Sequence, residues 1–321
     1  MRSPLISIII PTKPGKPVSA IECIKRLDYP KDKIEVFVSE GTQPSRQRNE
    51  VAKRASGEIL YFLDDDSCPV PDAIKKIVRH FDDEMVAAAG GPSITPEDDS
   101  LLQKSFGTAL GSLLGGFSIK NRYRRVGKAR LSSENELILC NLAFRKKAFL
   151  ENGGLNERLY PNEENELMNR LQKKGNKLMH DPDAYVLRSQ RSTLKAFMKQ
   201  MLNYGRGRAE QTFTDPSSFR PSHLVPTIFL LYLLSTLFSK NILYLIPLGC
   251  YLLVTLAASI HSGLNWKEWR FLYLLPPIYI LIHICYGAGV VWGFFRSLRG
   301  TGKRPSGEVV IRHIKPLPTN S

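Results

Sequence analysis

Three long runs without charged side chains, all in the last third of the chain, constrain its fold more than any other feature. They cover Pro221–Ser239, Asn241–Trp266 and Phe271–Phe295. Each has about the 20 residues that a helix needs to cross ~30 Å of hydrocarbon. A buried helical hairpin in a soluble protein is the alternative, but three such runs so close together favour a membrane region. We therefore expect about three hydrophobic helices over residues 220–296.

The distribution of charge indicates where the rest of the chain lies. The formal net charge is +15, and the last apolar run is followed by Arg296, Arg299, Lys303 and Arg304. Basic residues beside a span favour the cytoplasmic face and anionic lipids. We therefore expect a multi-pass protein of the inner (cytoplasmic) membrane, with a cytoplasmic domain over 1–219 and a basic tail over 297–321. Three full crossings would put that tail on the opposite side, so one run is expected to be re-entrant or interfacial.

The same observations limit the partners and the redox state. Contact with the membrane surface accounts for the basic excess, so nucleic acid is not an expected partner.

The five cysteines are odd in number, scattered and without a C-x-x-C pair. We therefore expect reduced thiols and neither a disulfide framework nor a structural zinc site.

Residues 1–219 alternate between strand and helix patterns. Apolar runs at Ile6–Ile10, Ile34–Ser39 and Glu58–Leu63 predict strands, and the segments between them predict helices. This alternation predicts an α/β fold with a mostly parallel sheet covered on both faces. Ligands of such sheets bind beyond the carboxyl ends of the strands. Neither G-x-G-x-x-G nor G-K-[ST] occurs, so neither a dinucleotide site nor a P-loop is supported.

An acidic triplet, Asp64-Asp65-Asp66, directly follows the third predicted strand. Adjacent carboxylates raise one another's pKa unless a cation neutralises them. Mg²⁺ or Mn²⁺ suits such oxygen ligands and completes its shell with substrate phosphates. We therefore predict Asp64 and Asp66 as metal ligands. A solvated, helix-capping loop is the alternative.

Several stretches of this chain resemble the family 2 glycosyltransferases of the GT-A fold. The similarity covers about two-thirds of the sequence and is carried by Ser7–Thr12, Glu35–Gly41, Arg48-Asn49, Ser56–Asp66, Asn141–Arg145, Gly153–Glu157 and Pro161–Leu171. Three later stretches, Gln190–Lys195, Tyr204–Ala209 and His283–Gly287, resemble the membrane-anchored, ExoA-like branch of succinoglycan biosynthesis. The resemblance implies a GT-A catalytic domain followed by a transmembrane helical region.

The resemblance also implies a role for each matching residue at the strand ends. Pro11 and Thr12 would line the nucleotide pocket of a nucleotide-sugar donor. Glu40 would contact the nucleobase, although Asp is usual there, which puts a preference for uridine in doubt. Asp64 would face the ribose, and Asp66 would ligate the metal that bridges the diphosphate. The matching stretches also make Arg48 and Asp65 candidate donor-binding residues.

The family places its catalytic base in an acidic pair at a helix N-terminus, where the helix dipole favours negative charge. Alignment on the following Glu166-Leu167 puts Glu163 and Glu164 on that pair. Glu164 is therefore the candidate base that deprotonates the acceptor hydroxyl. A one-step displacement assisted by a base predicts inversion at the anomeric carbon. The alternative is a cluster that only caps the helix.

Two further segments have both a functional and a structural interpretation. Arg206 and Arg208 are predicted to clamp a donor diphosphate or a lipid phosphate, or to form a basic patch on anionic lipid. Residues 100–117 are predicted as an amphipathic helix at the bilayer or in an acceptor groove, or as ordinary core.

Because the R-W pair of the processive synthases' Q-x-x-R-W motif is absent after Gln200, we favour addition of a single sugar.

The sequence thus predicts an inverting glycosyltransferase that uses a nucleotide-sugar and a lipid-linked or glycan acceptor in contact with membrane lipids, in polysaccharide or glycolipid biosynthesis. Three alternatives remain: a polyprenyl-phosphate glycosyltransferase, a catalytically silent scaffold that binds nucleotide or glycan, and a nucleotidyltransferase. Metal-dependent turnover of a donor separates the enzymes from the scaffold.

Overall fold

A computed structural model describes residues 3–300 and 307–314, so Lys303 and Arg304 of the expected tail lie outside the described residues. In chain order its strands are β1 (Ile6–Thr12), β2 (Ile34–Glu40), β3 (Ile59–Leu63), β4 (Cys68–Pro69), β5 (Val86–Gly90), β6 (Ser93–Ile94), β7 (Arg130–Leu131), β8 (Asn141–Arg145), β9 (Lys177–His180), β10 (Val186–Leu187) and β11 (Val310–Ile314). Its α-helices are α1 (Ala20–Lys25), α2 (Pro44–Arg54), α3 (Ala73–Val78), α4 (Leu101–Leu110), α5 (Leu113–Gly116), α6 (Lys146–Glu151), α7 (Glu163–Lys173), α8 (Leu194–Thr214), α9 (Val225–Thr236), α10 (Ile246–Trp266) and α11 (Phe271–Leu298).

The chain forms two compact units that do not follow each other in sequence. The first comprises residues 3–96, 121–188 and 307–314, and the second comprises residues 97–120 and 189–300. The boundaries therefore differ from the expected order of domain, membrane region and tail. The segments 97–120 and 189–219 belong with the apolar helices, and strand β11 of the tail belongs with the sheet.

The first unit is built on a large mixed sheet, which confirms the predicted α/β class. The sheet is less parallel than expected: among the described strands, three of its pairings are parallel and four are antiparallel. Among the described residues its strand order is β11-β2-β1-β3-β8-β5-β9-β7. Strands β1, β2 and β3 are parallel, whereas β8 and β11 join antiparallel to β3 and β2. The carboxyl ends of β1, β2 and β3 therefore lie at one edge of the sheet.

The continuous apolar runs fold as central strands because both of their faces are covered. All seven residues of β1 and all five of β3 are buried. Phe62 of β3 packs with Phe144 and Phe149 at ring-centroid distances of 5.9 and 5.4 Å. This core fixes the positions at which β1 and β3 end.

The expectation of reduced thiols is wrong for two of the five cysteines. Cys23 of α1 and Cys68 of β4 form a disulfide, whereas Cys140, Cys250 and Cys285 are free. An odd, scattered set of cysteines does not reveal which two become neighbours in the fold. The disulfide ties α1 to the segment that immediately follows Asp64–Asp66.

The second unit contains the apolar helices. In the described part of the chain, Ile242–Trp266 and Phe271–Leu298 are long and apolar enough to cross a membrane, and Pro221–Thr236 is a shorter apolar helix. Helices α8 and α11 pack closely because glycines line their contact. A Cβ on Gly205 would lie 2.1 Å from the carbonyl oxygen of Tyr286, and one on Gly289 would lie 2.1 Å from that of Leu202.

The segment 100–117 is largely core of this second unit. It forms α4 and α5, and Phe106 of α4 is fully buried. The ring of Phe106 stacks on Phe197 of α8 at 3.9 Å. The interpretation as ordinary core therefore applies to the buried face of α4. Leu113 and Phe117 of the same segment are exposed.

Candidate active site

The predicted donor-binding residues gather at the carboxyl edge of β1, β2 and β3. Thr12 is the register partner of Glu40, and Asp64 directly follows the last residue of β3. The side-chain amide of Gln47 donates to the backbone carbonyls of Thr12 and Ser39 and so holds the ends of β1 and β2 together. Pro11, also buried, lies one residue before Thr12 in the same strand.

The three carboxylates of the triplet have different partners. Asp65 turns back toward β1, where it accepts a hydrogen bond from Thr12 Oγ1 at 3.2 Å and pairs with Lys16 Nζ at 2.7 Å. Asp64 and Asp66 instead share one cation. Arg188 lies 3.1 Å from Asp64 and 2.7 Å from Asp66. Asp64 and Asp66, the two outer residues of the D-x-D pattern, therefore share Arg188, whereas the central Asp65 contacts Thr12 and Lys16.

Arg188 is a site residue that the sequence analysis missed. It directly follows β10, which pairs with β4 just beyond the triplet. No local pattern connects it to residues more than a hundred positions earlier in the chain. Its side chain is 20% exposed. Although burial lowers the pKa of this guanidinium, its carboxylate neighbours, Asp64 first, raise that pKa well above its ordinary value.

Asp64 and Asp66 fit a divalent cation. Their carboxylates converge on a single positive group, as two ligands of one metal must. Both supply the hard oxygen donors that Mg²⁺ and Mn²⁺ prefer. Among the described residues no group of three or more His, Cys, Asp or Glu is arranged to hold a metal ion. The protein would therefore supply these two ligands, and substrate phosphate oxygens and water would supply the rest.

Arg48 connects the triplet to the acidic pair of α7. This residue of α2 is buried, and its Nη2 lies 2.8 Å from Asp64 Oδ1. Its Nη1 lies 3.6 Å from Glu163 Oε1. One guanidinium thus contacts both acidic groups, so the predicted metal ligands and the predicted base lie in the same part of the first unit.

Glu163 and Glu164 begin helix α7, where the helix dipole favours negative charge. Burial raises the pKa of Glu163 above its ordinary value, and the adjacent charge of Glu164 raises it further. The side chain of Glu163 is only 3% exposed. Because Arg48 lies 3.6 Å from the carboxylate of Glu163, Glu164 remains the candidate base.

Contacts within α7 and from outside it hold its first turn. Arg122 donates to the side chain of Asn165 at 2.6 Å, and Arg170, further along α7, pairs with Glu166 at 2.6 Å. Asn49 of α2 bonds both the backbone N–H and the carbonyl oxygen of Leu155. Glu166 therefore has a structural partner, and Glu163 contacts Arg48, with Glu164 next to it in the first turn of α7.

Glu40 has a partner that was not expected. The guanidinium of Arg312, in β11 of the C-terminal tail, forms an ion pair with its carboxylate. The basic composition of the tail predicts a membrane-facing extension, whereas residues 310–314 form a strand of the sheet. The β-branched residues Val310, Ile311 and Ile314 are the strand signal in this segment.

Arg206 and Arg208 belong to the second unit and have partners within it. Arg206 lies over the ring of Trp292 at 5.1 Å and 3.9 Å from Glu210. Arg208 is 6% exposed and donates to Gln211. Their role in binding a donor or lipid phosphate stays a prediction.

Comparison with known proteins gives matches by family and by fold. The sequence model of a family described as Glycosyl transferase family group 2 matches residues 59–292. No curated protein matches the chain by sequence. The mannosyltransferase PcManGT from Pyrobaculum calidifontis, solved with GDP-Man and Mn²⁺, is 16% identical with a TM-score of 0.56, and the match covers 92% of this chain and 88% of that one. S. aureus TarS 1-349, solved with UDP-GlcNAc, is 16% identical with a TM-score of 0.46, and the match covers 98% of each chain.

Proposed function

The chain belongs to Glycosyl transferase family group 2, and from that membership we propose an inverting, metal-dependent enzyme that transfers one sugar from a nucleotide-sugar to an acceptor at a membrane surface. The observation that carries the proposal is the position of Arg48. Its guanidinium contacts Asp64 at 2.8 Å and Glu163 at 3.6 Å. These two contacts support a single site for leaving-group stabilisation and acceptor activation, because the proposed base Glu164 is next to Glu163 in α7.

On the donor side, Asp64 and Asp66 would hold Mg²⁺ or Mn²⁺, and Thr12 and Lys16 would orient Asp65. A bound metal supplies Lewis-acid stabilisation of the charge that develops on the departing nucleoside diphosphate. Arg48 and Arg188 add fixed positive charge at the same place. Guanidinium groups of this kind bind phosphate oxygens in bidentate geometry.

On the acceptor side, Glu164 would take the proton of the attacking hydroxyl as the new glycosidic bond forms. Glu164 lies in the first turn of α7, the end of a helix at which the dipole is positive. Attack on the face opposite the leaving group inverts the anomeric configuration. If the acceptor is a polyprenyl phosphate, no hydroxyl proton has to be removed, and Glu164 would only position the acceptor.

Two helices, α10 and α11, are the proposed membrane crossings. Helix α9 has 12 residues, which at 1.5 Å per residue gives about 18 Å, too short for ~30 Å of hydrocarbon. Strand β11 follows α11 and pairs with β2 of the first unit. An even number of crossings returns the chain to the side where the sheet lies, and two satisfy this condition.

The proposed side is the cytoplasm, because Arg296 and Arg299 lie at the end of α11. The Cys23–Cys68 disulfide argues in the other direction, since such bonds are rare in cytosolic proteins outside hyperthermophiles. A C-terminal tag that protease reaches only after the cells are opened would support the cytoplasmic side. Cleavage of that tag in intact spheroplasts would overturn it.

The acceptor is proposed to be a lipid-linked oligosaccharide or glycan, because anchoring by the apolar helices keeps the enzyme where such lipids are. The full chain in detergent is assayed with Mn²⁺, GDP-mannose and a panel of UDP-sugars. Metal-dependent release of the nucleoside diphosphate supports the enzyme. Binding of nucleotide without turnover, with every acceptor lipid tried, would instead support the silent scaffold.

A further inference from the structure

Helix α1 holds the acidic triplet and the strand that follows it. The backbone N–H of Ala20 donates to the carbonyl oxygen of Asp65 at 3.1 Å, and Ser19 Oγ donates to the same oxygen at 3.2 Å. One turn further along α1, Cys23 is bonded to Cys68, the first residue of β4. Of these contacts the disulfide is the covalent one, and a reductant can open it without any change in sequence.

The disulfide also lies next to the segment that carries Arg188. Cys68 is the register partner of Leu187, so the pairing of β4 with β10 includes the bonded cysteine. Arg188 directly follows Leu187 and lies 3.1 Å from Asp64 and 2.7 Å from Asp66. A displacement of Cys68 therefore reaches the two proposed metal ligands along the chain and through Arg188.

The bond is accessible, and a cation lies beside it. Cys23 and Cys68 are partly exposed, and Arg26 is exposed. Arg26 Nη2 lies 3.3 Å from Cys23 Sγ and 3.8 Å from Cys68 Sγ. Attack of an external thiolate on Cys68 would release Cys23 as a thiolate next to this guanidinium. Since a positive neighbour stabilises a thiolate, and a stabilised thiolate leaves faster, this position favours exchange.

The exchange needs a dithiol as its reductant. One thiolate of the dithiol attacks Cys68 Sγ, forms a mixed disulfide and releases Cys23. The second thiolate of the dithiol then attacks the reductant's own sulfur in the mixed disulfide, and Cys68 leaves. Two electrons and two protons pass to the protein, which gains two thiols, and the dithiol becomes a disulfide.

The proposed cytoplasmic side of the first unit gives a reason for a reversible bond. Disulfides of cytosolic proteins outside hyperthermophiles are usually transient and act in catalysis or redox sensing. Neither cysteine of this pair has a part in the proposed transfer reaction. A regulatory bond therefore accounts for a disulfide on that side of the membrane.

We propose that Cys23–Cys68 is a thiol–disulfide exchange site through which a cellular dithiol controls the order of the loop that carries Asp64–Asp66, and with it the affinity for a divalent cation. The oxidised chain holds this loop ready for the metal, whereas the reduced chain has to order the loop when the metal binds. The effect on metal affinity rests on the proposed function, but the effect on the loop does not.

The test compares the full chain in detergent before and after treatment with dithiothreitol. Mass spectrometry after alkylation should show a rise from three free thiols to five in a folded chain. Hydrogen exchange of residues 64–71 should become faster. Electron paramagnetic resonance should show Mn²⁺ binding weakened about tenfold, the effect of having to order the backbone of one residue. Reoxidation should restore both the slow exchange and the Mn²⁺ affinity.

Two variants complete the comparison. Cys23→Ala removes the bond without altering the loop's own sequence, and it should match the reduced wild type with or without dithiothreitol. Cys250→Ser, at an exposed free cysteine, is the matched control and should respond to dithiothreitol as the wild type does. The reduced wild type makes the same comparison without a substitution, should Cys23→Ala fail to fold.

The outcomes separate this inference from the proposed function. A bond that dithiothreitol opens only when the chain unfolds would overturn the inference. A reduced, folded chain with the loop exchange and Mn²⁺ affinity of the oxidised chain would overturn it as well. Failure of the oxidised wild type to bind Mn²⁺ would count against the proposed function, and the loop exchange would then decide the inference alone.

Discussion

Arg48 Nη2 lies 2.8 Å from Asp64 Oδ1. The same guanidinium also lies 3.6 Å from Glu163, so a side chain that is only 5% exposed contacts two acidic side chains from different elements. Removing Arg48 takes a charge-assisted hydrogen bond from Asp64, which keeps Arg188 as its other partner. Arg48 therefore both stabilises the fold and holds Asp64 near Glu163.

Arg48→Met should destabilise the protein and abolish transfer. We expect a loss of about 2 kcal/mol in the free energy of unfolding, the usual contribution of a hydrogen bond to a charged group, because Asp64 loses Arg48 but keeps Arg188. Chemical denaturation of the detergent-solubilised chain measures it. Arg54→Met, at an exposed position of the same helix, is the control and should change stability little. A wild-type unfolding free energy for Arg48→Met would show that the two ion pairs do not stabilise the fold.

Asp66→Asn should abolish transfer without unfolding the chain, because it removes the charge of a proposed metal ligand at nearly constant volume. Binding of Mn²⁺, followed by electron paramagnetic resonance, should weaken at least about tenfold, since a carboxamide binds a hard cation far less well than a carboxylate. Asp32→Asn, at an exposed carboxylate, should bind Mn²⁺ like the wild type. Unchanged Mn²⁺ binding in Asp66→Asn would remove Asp66 from the metal site.

Arg188→Ala should increase the affinity for Mn²⁺ in the absence of donor. Arg188 pairs with both Asp64 and Asp66, so a metal has to displace it or share its partners. Two partly exposed ion pairs contribute about 1 kcal/mol together. Their loss therefore predicts that Arg188→Ala binds Mn²⁺ about fivefold more tightly than the wild type. Arg125→Ala removes another arginine of the first unit, paired with Asp183 at 2.7 Å, and should have no effect. Equal Mn²⁺ affinity in wild type and Arg188→Ala would mean that Arg188 does not compete.

Proton binding by Glu163 should make the free energy of unfolding depend on pH. Because burial raises its pKa above the ordinary 4.5, the folded state holds this proton to higher pH than the unfolded state does. The stabilisation is complete below pH 4.5 and is lost as the pH rises through the raised pKa of the folded state. Glu163→Gln, which resembles the protonated form, should lose this part of the pH dependence. Identical pH–stability curves for wild type and Glu163→Gln would contradict the assignment.

The sequence predicts the central strands and the position of the acidic triplet because these depend on local patterns. A continuous apolar run such as Ile6–Ile10 has to be covered on both faces, and a parallel sheet places its ligands beyond the strand ends. The sheet confirms both features, with β1 ending at Thr12 and Asp64 directly after β3.

Pairings between distant parts of the chain were not predictable in this way. Arg188 approaches Asp66 only because β10 pairs with β4, and Arg312 approaches Glu40 only because β11 adds to β2. In each case two ordinary polar residues, far apart in sequence, become partners through the sheet. The Cys23–Cys68 disulfide was missed for the same reason.

Comparison of Glu164→Gln with wild type in a transfer assay tests the central claim most directly, with GDP, UDP and Mn²⁺ binding measured on the same samples. Glu164→Gln should transfer sugar to a hydroxyl acceptor on the order of 10²-fold more slowly, the usual contribution of a positioned base. Its nucleotide and metal binding should match the wild type, and Glu163→Gln should keep its rate within a few-fold. A wild-type transfer rate in Glu164→Gln would contradict the account, since the acceptor would then be activated by a different group.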